Sequence, residues 1–139
     1  MRRLSAAVMG VAATVMAVGI APVAAAQPGT YNPDAQYLRT AGNVRCVVTK
    51  EAAACERAGG FAGAPAGQPV ATVAADGTFS WAAGGIGPTS GQEVTAVNGQ
   101  PYRFHGWTIL LTIEGTRFSN IKSVHGMNIS IDGTTVTPY

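Results

Sequence analysis

Three observations predict an all-β fold, a small antiparallel sandwich or barrel built from hairpins and carrying one disulfide. Short segments rich in Val, Thr, Ile and aromatic residues alternate along the chain with Gly-containing turns, which is the pattern of short strands. Roughly eight to ten such segments are present, a number that suits a sandwich or small barrel. The two cysteines, Cys46 and Cys55, favour a bridge if the chain is exported.

The N-terminus predicts export. Arg2 and Arg3 give a positive start, residues 4–20 carry no charge, and residues 24–26 are the small residues that a signal peptidase reads. The uncharged run is mostly Ala and Val, and it is short for a membrane span of about 20 residues. We therefore predict that residues 1–26 are a cleaved signal peptide. The mature protein is then secreted or cell-wall associated, without a stable membrane anchor.

The mature chain is predicted to be one domain. Residues 27–35 contain two prolines and a glycine and read as a flexible leader. Removal of 26 residues from 139 leaves 113, a length that suits a single β-rich domain over residues 36–139.

Residues 50–58 are open to two interpretations. Their composition favours a helix by propensity. Alternatively, a strand over Val44–Thr49 turns at Lys50-Glu51, which places Cys46 directly across from Cys55 at a non-hydrogen-bonded position, where Cα atoms approach most closely. We favour the hairpin, and the helix remains the alternative.

The other predicted strands are separated by turn residues. Asp76-Gly77 and Asn98-Gly99 are each typical of the centre of a hairpin, and Asp132-Gly133 marks the last turn. Two Gly-rich segments, Gly59–Pro69 and Gly84–Gly91, are predicted to be surface loops. The remaining predicted strands are Tyr37–Arg39, Val70–Ala74, Thr78–Ala82, Gln92–Val97, Tyr102 onward, a central strand over Trp107–Glu114, Arg117–Ile121, Met127–Ile131 and Thr134–Thr137. The large core candidates are Phe79, Trp81, Phe104, Trp107 and Phe118.

The charge of the mature chain argues against nucleic acid as a partner. The full chain has nine Lys plus Arg and seven Asp plus Glu, and loss of Arg2 and Arg3 leaves seven of each. The remaining basic residues are scattered singly along the sequence. Binding to nucleic acid or to an anionic membrane needs a positive patch or stripe, which this pattern does not supply.

Two histidines share a local pattern. His105 and His125 each follow an apolar or aromatic residue and precede Gly, with Ile four residues further on. One interpretation brings them together on neighbouring strands to hold a metal or to perform acid–base chemistry. The other, which we favour, is a repeated β-bulge with each His at the sheet surface. Neither has an Asp, Glu or Cys nearby in sequence as a third ligand, so we predict no metal site and no cofactor.

Other catalytic patterns are missing from the sequence. The nucleophile-elbow pattern G-x-S-x-G does not occur, and the Gly-rich loop over Gly84–Gly91 lacks the Lys of a phosphate-binding loop. Turn geometry accounts for Asp76 and Asp132, since each precedes a glycine. We therefore assign no catalytic residue.

Two stretches resemble a family of small secreted actinobacterial proteins of unknown function. Asn43-Val44-Arg45-Cys46 followed by Cys55 is similar to the start of that family's first hairpin, and Val124–Ser130 is similar to its closing motif. The resemblance implies export, a β-rich fold and a disulfide in the first hairpin, and it implies no activity. Phe118 stands where that family commonly has a further cysteine.

These features lead to an expectation of a secreted or cell-wall-associated binding module that is not an enzyme. Its expected partner is a protein or a component of the cell envelope. Two alternatives remain: a small secreted hydrolase that uses His105 or His125, and a secreted protease inhibitor that presents a loop such as Gly84–Gly91.

Overall fold

Two β-sheets make up the part of the chain that the computed structural model describes, residues 34–87 and 92–139. The elements in these residues are β1 (Gln36–Thr40), a 3-10 turn (Ala41–Asn43), β2 (Val44–Val48), β3 (Ala52–Arg57), β4 (Val70–Ala74), β5 (Phe79–Ala82), β6 (Glu93–Thr95), β7 (Pro101–Phe104), β8 (Trp107–Thr112), β9 (Gly115–Asn120), β10 (Gly126–Ser130) and β11 (Val136–Pro138). The first sheet has the order β5-β4-β3-β2-β1-β6, and the second has β11-β10-β9-β8-β7. The predicted signal peptide and leader residues 27–33 lie outside the described residues.

The two sheets face each other across a shared core. The second sheet contributes Trp107 and Phe118 to it, and the first contributes Leu38, all fully buried. The Trp107 indole N–H donates a 2.9 Å hydrogen bond to the Thr49 carbonyl oxygen, which ties the two sheets together. The predicted all-β fold is therefore confirmed, in the form of a sandwich. The other predicted core residues are partly buried against the same core, namely Phe79, Trp81 and Phe104.

The segment that carries the cysteines is a hairpin, and the helical alternative is wrong. β2 pairs with β3 in the predicted register, and the Cα atoms of Cys46 and Cys55 lie 4.1 Å apart within the disulfide. The Thr49 N–H donates to the Ala52 carbonyl oxygen, so the alternation of the ladder puts the cysteines at a non-hydrogen-bonded position. β3 also pairs with β4 on its other side, and this long-range pairing overrides the helix propensity of its alanines.

The hairpin predicted around Asn98-Gly99 is wrong, although the turn is present. β6 pairs in parallel with β1 in the first sheet, whereas β7 pairs with β8 in the second. The backbone N–H of Ala96 donates to Arg39, and that of Gly99 donates to Leu111. Because these groups bond to other strands, the segments beside the turn do not pair with each other. The chain passes between the sheets here.

The other two turn predictions are confirmed. Asp76-Gly77 joins β4 to β5, with Gly77 at φ +98°, and Asp132-Gly133 joins β10 to β11. The predicted strand over Trp107–Glu114 ends at Thr112 and has β7 and β9 as neighbours, so it lies inside its sheet as expected.

Residues 83–87, which follow β5, lie against the outer face of the first sheet. Ile86 is fully buried there in a cluster with Tyr37, Val47, Ala54 and Val70. Its N–H donates a 3.1 Å hydrogen bond to the Glu56 carboxylate. The prediction of a surface loop over Gly84–Gly91 is therefore wrong at Ile86, and residues 88–91 lie outside the described residues.

Candidate functional site

Four connections between strands meet at one end of the sandwich. They are the turns at Lys50-Glu51, Ala75–Gly77 and His105-Gly106, and the loop over residues 121–125 between β9 and β10. Residues from all four line a cleft with a volume of about 970 Å³, which we call the turn cleft. Sandwich folds gather such connections at the sheet ends, where they form a common surface on a rigid scaffold. The lining contains the charged side chains of Lys50, Glu51, Asp76 and Lys122, together with the imidazole of His105.

His105 occupies a tight turn, so the predicted β-bulge at this position is wrong. Phe104 pairs directly with Trp107, which leaves His105 and Gly106 as the two residues of the turn. Their φ values are +51° and +87°, as a type I′ turn requires. The side chain of His105 is exposed beside the turn cleft.

His125 also lies in a connection, so the bulge prediction is wrong there as well. It is exposed in the loop before β10, and its ring Nδ1 is 3.1 Å from the Tyr139 carbonyl oxygen. The ring lies against Gly77, where an added Cβ atom would come within 2.6 Å of the His125 Cγ. This contact holds the β4–β5 turn beside the β9–β10 loop.

The carboxyl group of Asp76 is shaped by its own turn. The Thr78 backbone N–H donates a 2.9 Å hydrogen bond to Asp76 Oδ1. That bond is the main reason why the pKa of Asp76 lies below its usual value, and the Thr78 hydroxyl and the nearby His125 lower it further. Asp76 is therefore a fixed negative charge beside the turn cleft.

The β9–β10 loop is held by hydrogen bonds from Asn120, a buried residue at the end of β9. Its side-chain Oδ1 accepts from the backbone N–H groups of Lys122 and Ser123, each at 3.0 Å, and its carbonyl oxygen accepts from Val124 at 2.9 Å. The Ile121 N–H donates to the Gly106 carbonyl oxygen at 2.9 Å, which joins the loop to the His105 turn. The loop is thus fixed in one conformation.

The loop exposes two aliphatic side chains, which we call the apolar tip. Ile121 is 52% exposed and Val124 is 68% exposed. Val124 has φ +66°, a conformation that a β-branched residue rarely adopts. Such a conformation costs roughly 1–3 kcal/mol and persists only where the surroundings impose it, most often at functional sites. The apolar tip is therefore displayed at a cost in stability.

Sequence reasoning misses the apolar tip because it predicts that the strand over Arg117–Ile121 includes Ile121. β9 stops at Asn120, one residue earlier. Asn at this position was the available signal, since its side chain often accepts hydrogen bonds from the backbone two residues on and begins a turn.

A hydrolase that used His105 or His125 would need a nucleophilic side chain hydrogen-bonded to the imidazole. Across residues 34–87 and 92–139, neither imidazole ring is hydrogen-bonded to the side chain of a Ser, Thr or Cys. Both cysteines are in the disulfide. Nor do the described residues contain a group of three or more His, Cys, Asp or Glu side chains that could hold a metal ion.

No protein-family model, curated protein or solved structure matches this chain. A search of the described residues for a helix long enough and apolar enough to cross a membrane found none.

Proposed function

We propose that this protein is a secreted or cell-wall-associated binding module that recognises a protein partner through the apolar tip and the adjoining turn cleft. The observation that carries this proposal is Val124, an exposed aliphatic residue held at φ +66°. A polar residue that tolerates positive φ, such as Asn, would suit the fold better at this position. The presence of Val there supports a use for the exposed side chain outside the fold.

The surroundings of the apolar tip have the character of a protein interface. Ile121 and Val124 supply aliphatic surface, and Lys122, Glu51 and Asp76 lie nearby as a charged rim of both signs. Interfaces between proteins typically combine an apolar centre with a polar rim. Because the hydrogen bonds of Asn120 already fix the loop, little conformational entropy is lost on binding.

The proposed location follows from the N-terminal sequence and from the disulfide. A bridge between Cys46 and Cys55 is consistent with an oxidising compartment outside the cell. The predicted signal peptide over residues 1–26 would direct export to that compartment. We retain the resemblance to small secreted actinobacterial proteins as part of this proposal.

The test compares two asparagine substitutions in the mature chain, residues 27–139. Val124→Asn removes the apolar tip's most exposed side chain, and Ile113→Asn is the matched control, since Ile113 is 80% exposed in the β8–β9 turn at the opposite end. Proteins cross-linked from culture filtrate and envelope extract are identified by mass spectrometry. We expect wild type and Ile113→Asn to capture the same partner and Val124→Asn to lose it.

The stability of the same variants separates loss of binding from loss of folding. Val124→Asn should relieve backbone strain of about 1 kcal/mol and raise Tm by roughly 4 °C. Retention of the partner by a folded Val124→Asn protein would overturn the proposal.

A further inference from the structure

We propose a second binding site on the outer face of the second sheet, which takes a uronic acid residue of an acidic saccharide. The site is a groove of about 420 Å³, which we call the arginine groove, and its volume is within the usual range for small-ligand sites. This face is separate from the turn cleft, and the proposal is independent of the one above. The polar side chains that line the groove include Thr112, Arg117, Asn128, Ser130, Thr135 and Thr137.

Arg117 is an exposed cation that the fold holds in place. Its guanidinium carbon lies 4.1 Å from the centre of the Tyr139 ring, a cation–π contact. Its Nη1 donates a 3.4 Å hydrogen bond to Asn128 Oδ1. The Tyr139 hydroxyl in turn donates to the Phe118 carbonyl oxygen at 2.8 Å, which fixes the ring beneath the guanidinium. A ligand therefore meets an arginine that is already oriented.

Gly126 lies in close contact with β9 and with the Tyr139 ring. An added Cβ atom on Gly126 would collide with the Phe118 carbonyl group and would also lie 2.9 Å from the Tyr139 hydroxyl. The close approach of β9 to β10 therefore requires a glycine here, and the same glycine leaves space for the ring that contacts Arg117.

Arg117 has no acidic partner among residues 34–87 and 92–139, whereas two arginines of the first sheet are paired with glutamates. Arg39 is paired with Glu93 at 3.4 Å, and Arg45 with Glu56 at 2.8 Å. An oriented guanidinium without an acidic partner can offer its remaining N–H groups to a carboxylate. The missing anion is therefore most simply supplied by a ligand.

The rest of the groove indicates a sugar rather than a peptide. The backbone groups of its central strands, β9 and β10, are used within the sheet, so they are not available to pair with an extended peptide. Recognition must instead come from side-chain hydroxyls and the Asn128 amide, which suit the many hydroxyls of a saccharide. Leu110, partly buried in the groove, can contact the C–H face of a sugar ring.

The charge of the groove fits one carboxylate. Glu114 lines the same groove as Arg117, so a ligand that concentrates two negative charges on one group, such as a phosphate, would be repelled by that side chain. Each uronic acid residue carries a single negative charge and the hydroxyls that the lining matches, and an oligouronate spaces its carboxylates one to a sugar ring.

The test measures binding of trigalacturonate, with uncharged maltotriose and a tri-aspartate peptide as comparison ligands. We expect trigalacturonate to bind the mature protein at least about tenfold more tightly than either comparison ligand. Arg117→Gln should lower the affinity for trigalacturonate by about tenfold to a hundredfold, which is the range for loss of a charged hydrogen bond. Arg39→Gln, the same change on the first sheet, should leave the affinity unchanged.

Glu114→Gln is expected to raise the affinity. A misfolded variant would lose affinity, so a gain cannot be explained by misfolding. Removal of the Glu114 charge should raise the affinity for trigalacturonate a few-fold. Failure of trigalacturonate to bind, equal affinity of a folded Arg117→Gln protein, or equal binding of the tri-aspartate peptide would each overturn the saccharide proposal. Val124→Asn should bind trigalacturonate like wild type, so this proposal and the protein-binding proposal can fail separately.

Discussion

Val124 and Asp132 lie in connections at opposite ends of β10. Val124 makes its connection less stable, whereas Asp132 makes its connection more stable. Val124 is exposed and held at φ +66° by the hydrogen bonds of its neighbours. Asp132, by contrast, accepts bonds to one carboxylate oxygen from the Ser130 hydroxyl at 2.6 Å and from the N–H and hydroxyl of Thr134 at 3.0 and 2.8 Å. The Asp132 carboxylate therefore stabilises its own turn through local hydrogen bonds, whereas the backbone of the Val124 loop is strained.

The Asp132 turn predicts a loss of stability in acid. The Ser130 hydroxyl bond is the largest cause that lowers the pKa of Asp132 from 3.8 to about 2, followed by the bonds from Thr134. Because the folded pKa is lowered, the ionised group stabilises the fold above about pH 3.8, and this contribution disappears as the pH falls through about 2. The urea midpoint of wild type should therefore fall in this window, and Asp132→Asn should show a shallower fall.

The control for this prediction is Ser130→Ala, which removes the strongest of these hydrogen bonds. It should move the pKa of Asp132 upward towards 3.8 when the carboxyl carbon is titrated by NMR. An Asp132 pKa that is the same in Ser130→Ala and in wild type would contradict this account of the turn.

Elements fixed by neighbouring residues were predictable from sequence, whereas elements fixed by distant partners were not. The disulfide hairpin and the Asp76-Gly77 turn follow from local register and turn chemistry, and both are confirmed. The Asn98-Gly99 turn also forms, but β6 pairs with β1, which is distant in the sequence. The residues around the turn contain no signal of that long-range pairing. His105 shows the same limit, since a His-Gly pair serves a bulge and a type I′ turn equally well.

The first hairpin gives a prediction for the disulfide. Cys46 and Cys55 are nine residues apart and fully buried. Closing so short a loop restricts the unfolded chain by about 2.5–3 kcal/mol on the chain-entropy model. Replacement of both by Ala should lower the free energy of unfolding by about that amount and leave the sandwich folded, because β2 and β3 keep their ladder and their contacts with β1 and β4.

The measurement is urea unfolding of the double variant beside wild type, monitored by tryptophan fluorescence, with a count of free thiols in the native wild-type protein. Wild-type protein reduced with dithiothreitol is the control, and it should lose a similar amount of stability. Two reactive thiols in the native wild-type protein would contradict the bridge.

At the scale of the whole molecule, the two sheets differ in what covers their outer faces. Residues 83–87 of the crossover between β5 and β6 lie on the first sheet, where Arg45 donates to the Gly87 carbonyl oxygen at 2.9 Å and Glu56 accepts from the Ile86 N–H. The outer face of the second sheet instead bears the arginine groove, and the end of the sandwich bears the apolar tip. The two proposed binding surfaces therefore lie on the second sheet and at the sandwich end, away from the face that the crossover occupies.

Ile86 tests whether the crossover is part of the folded structure or only a connection. Its side chain is fully buried in the cluster on the outer face of the first sheet. Truncation of a buried Ile to Ala removes its apolar contacts and leaves a cavity, at a cost of about 2–5 kcal/mol. Val97→Ala is the matched control, since Val97 is 59% exposed in the connection between β6 and β7 and its truncation should cost under about 0.5 kcal/mol. Urea unfolding should show a large loss for Ile86→Ala alone, and equal small losses for both variants would mean that the crossover does not stabilise the first sheet.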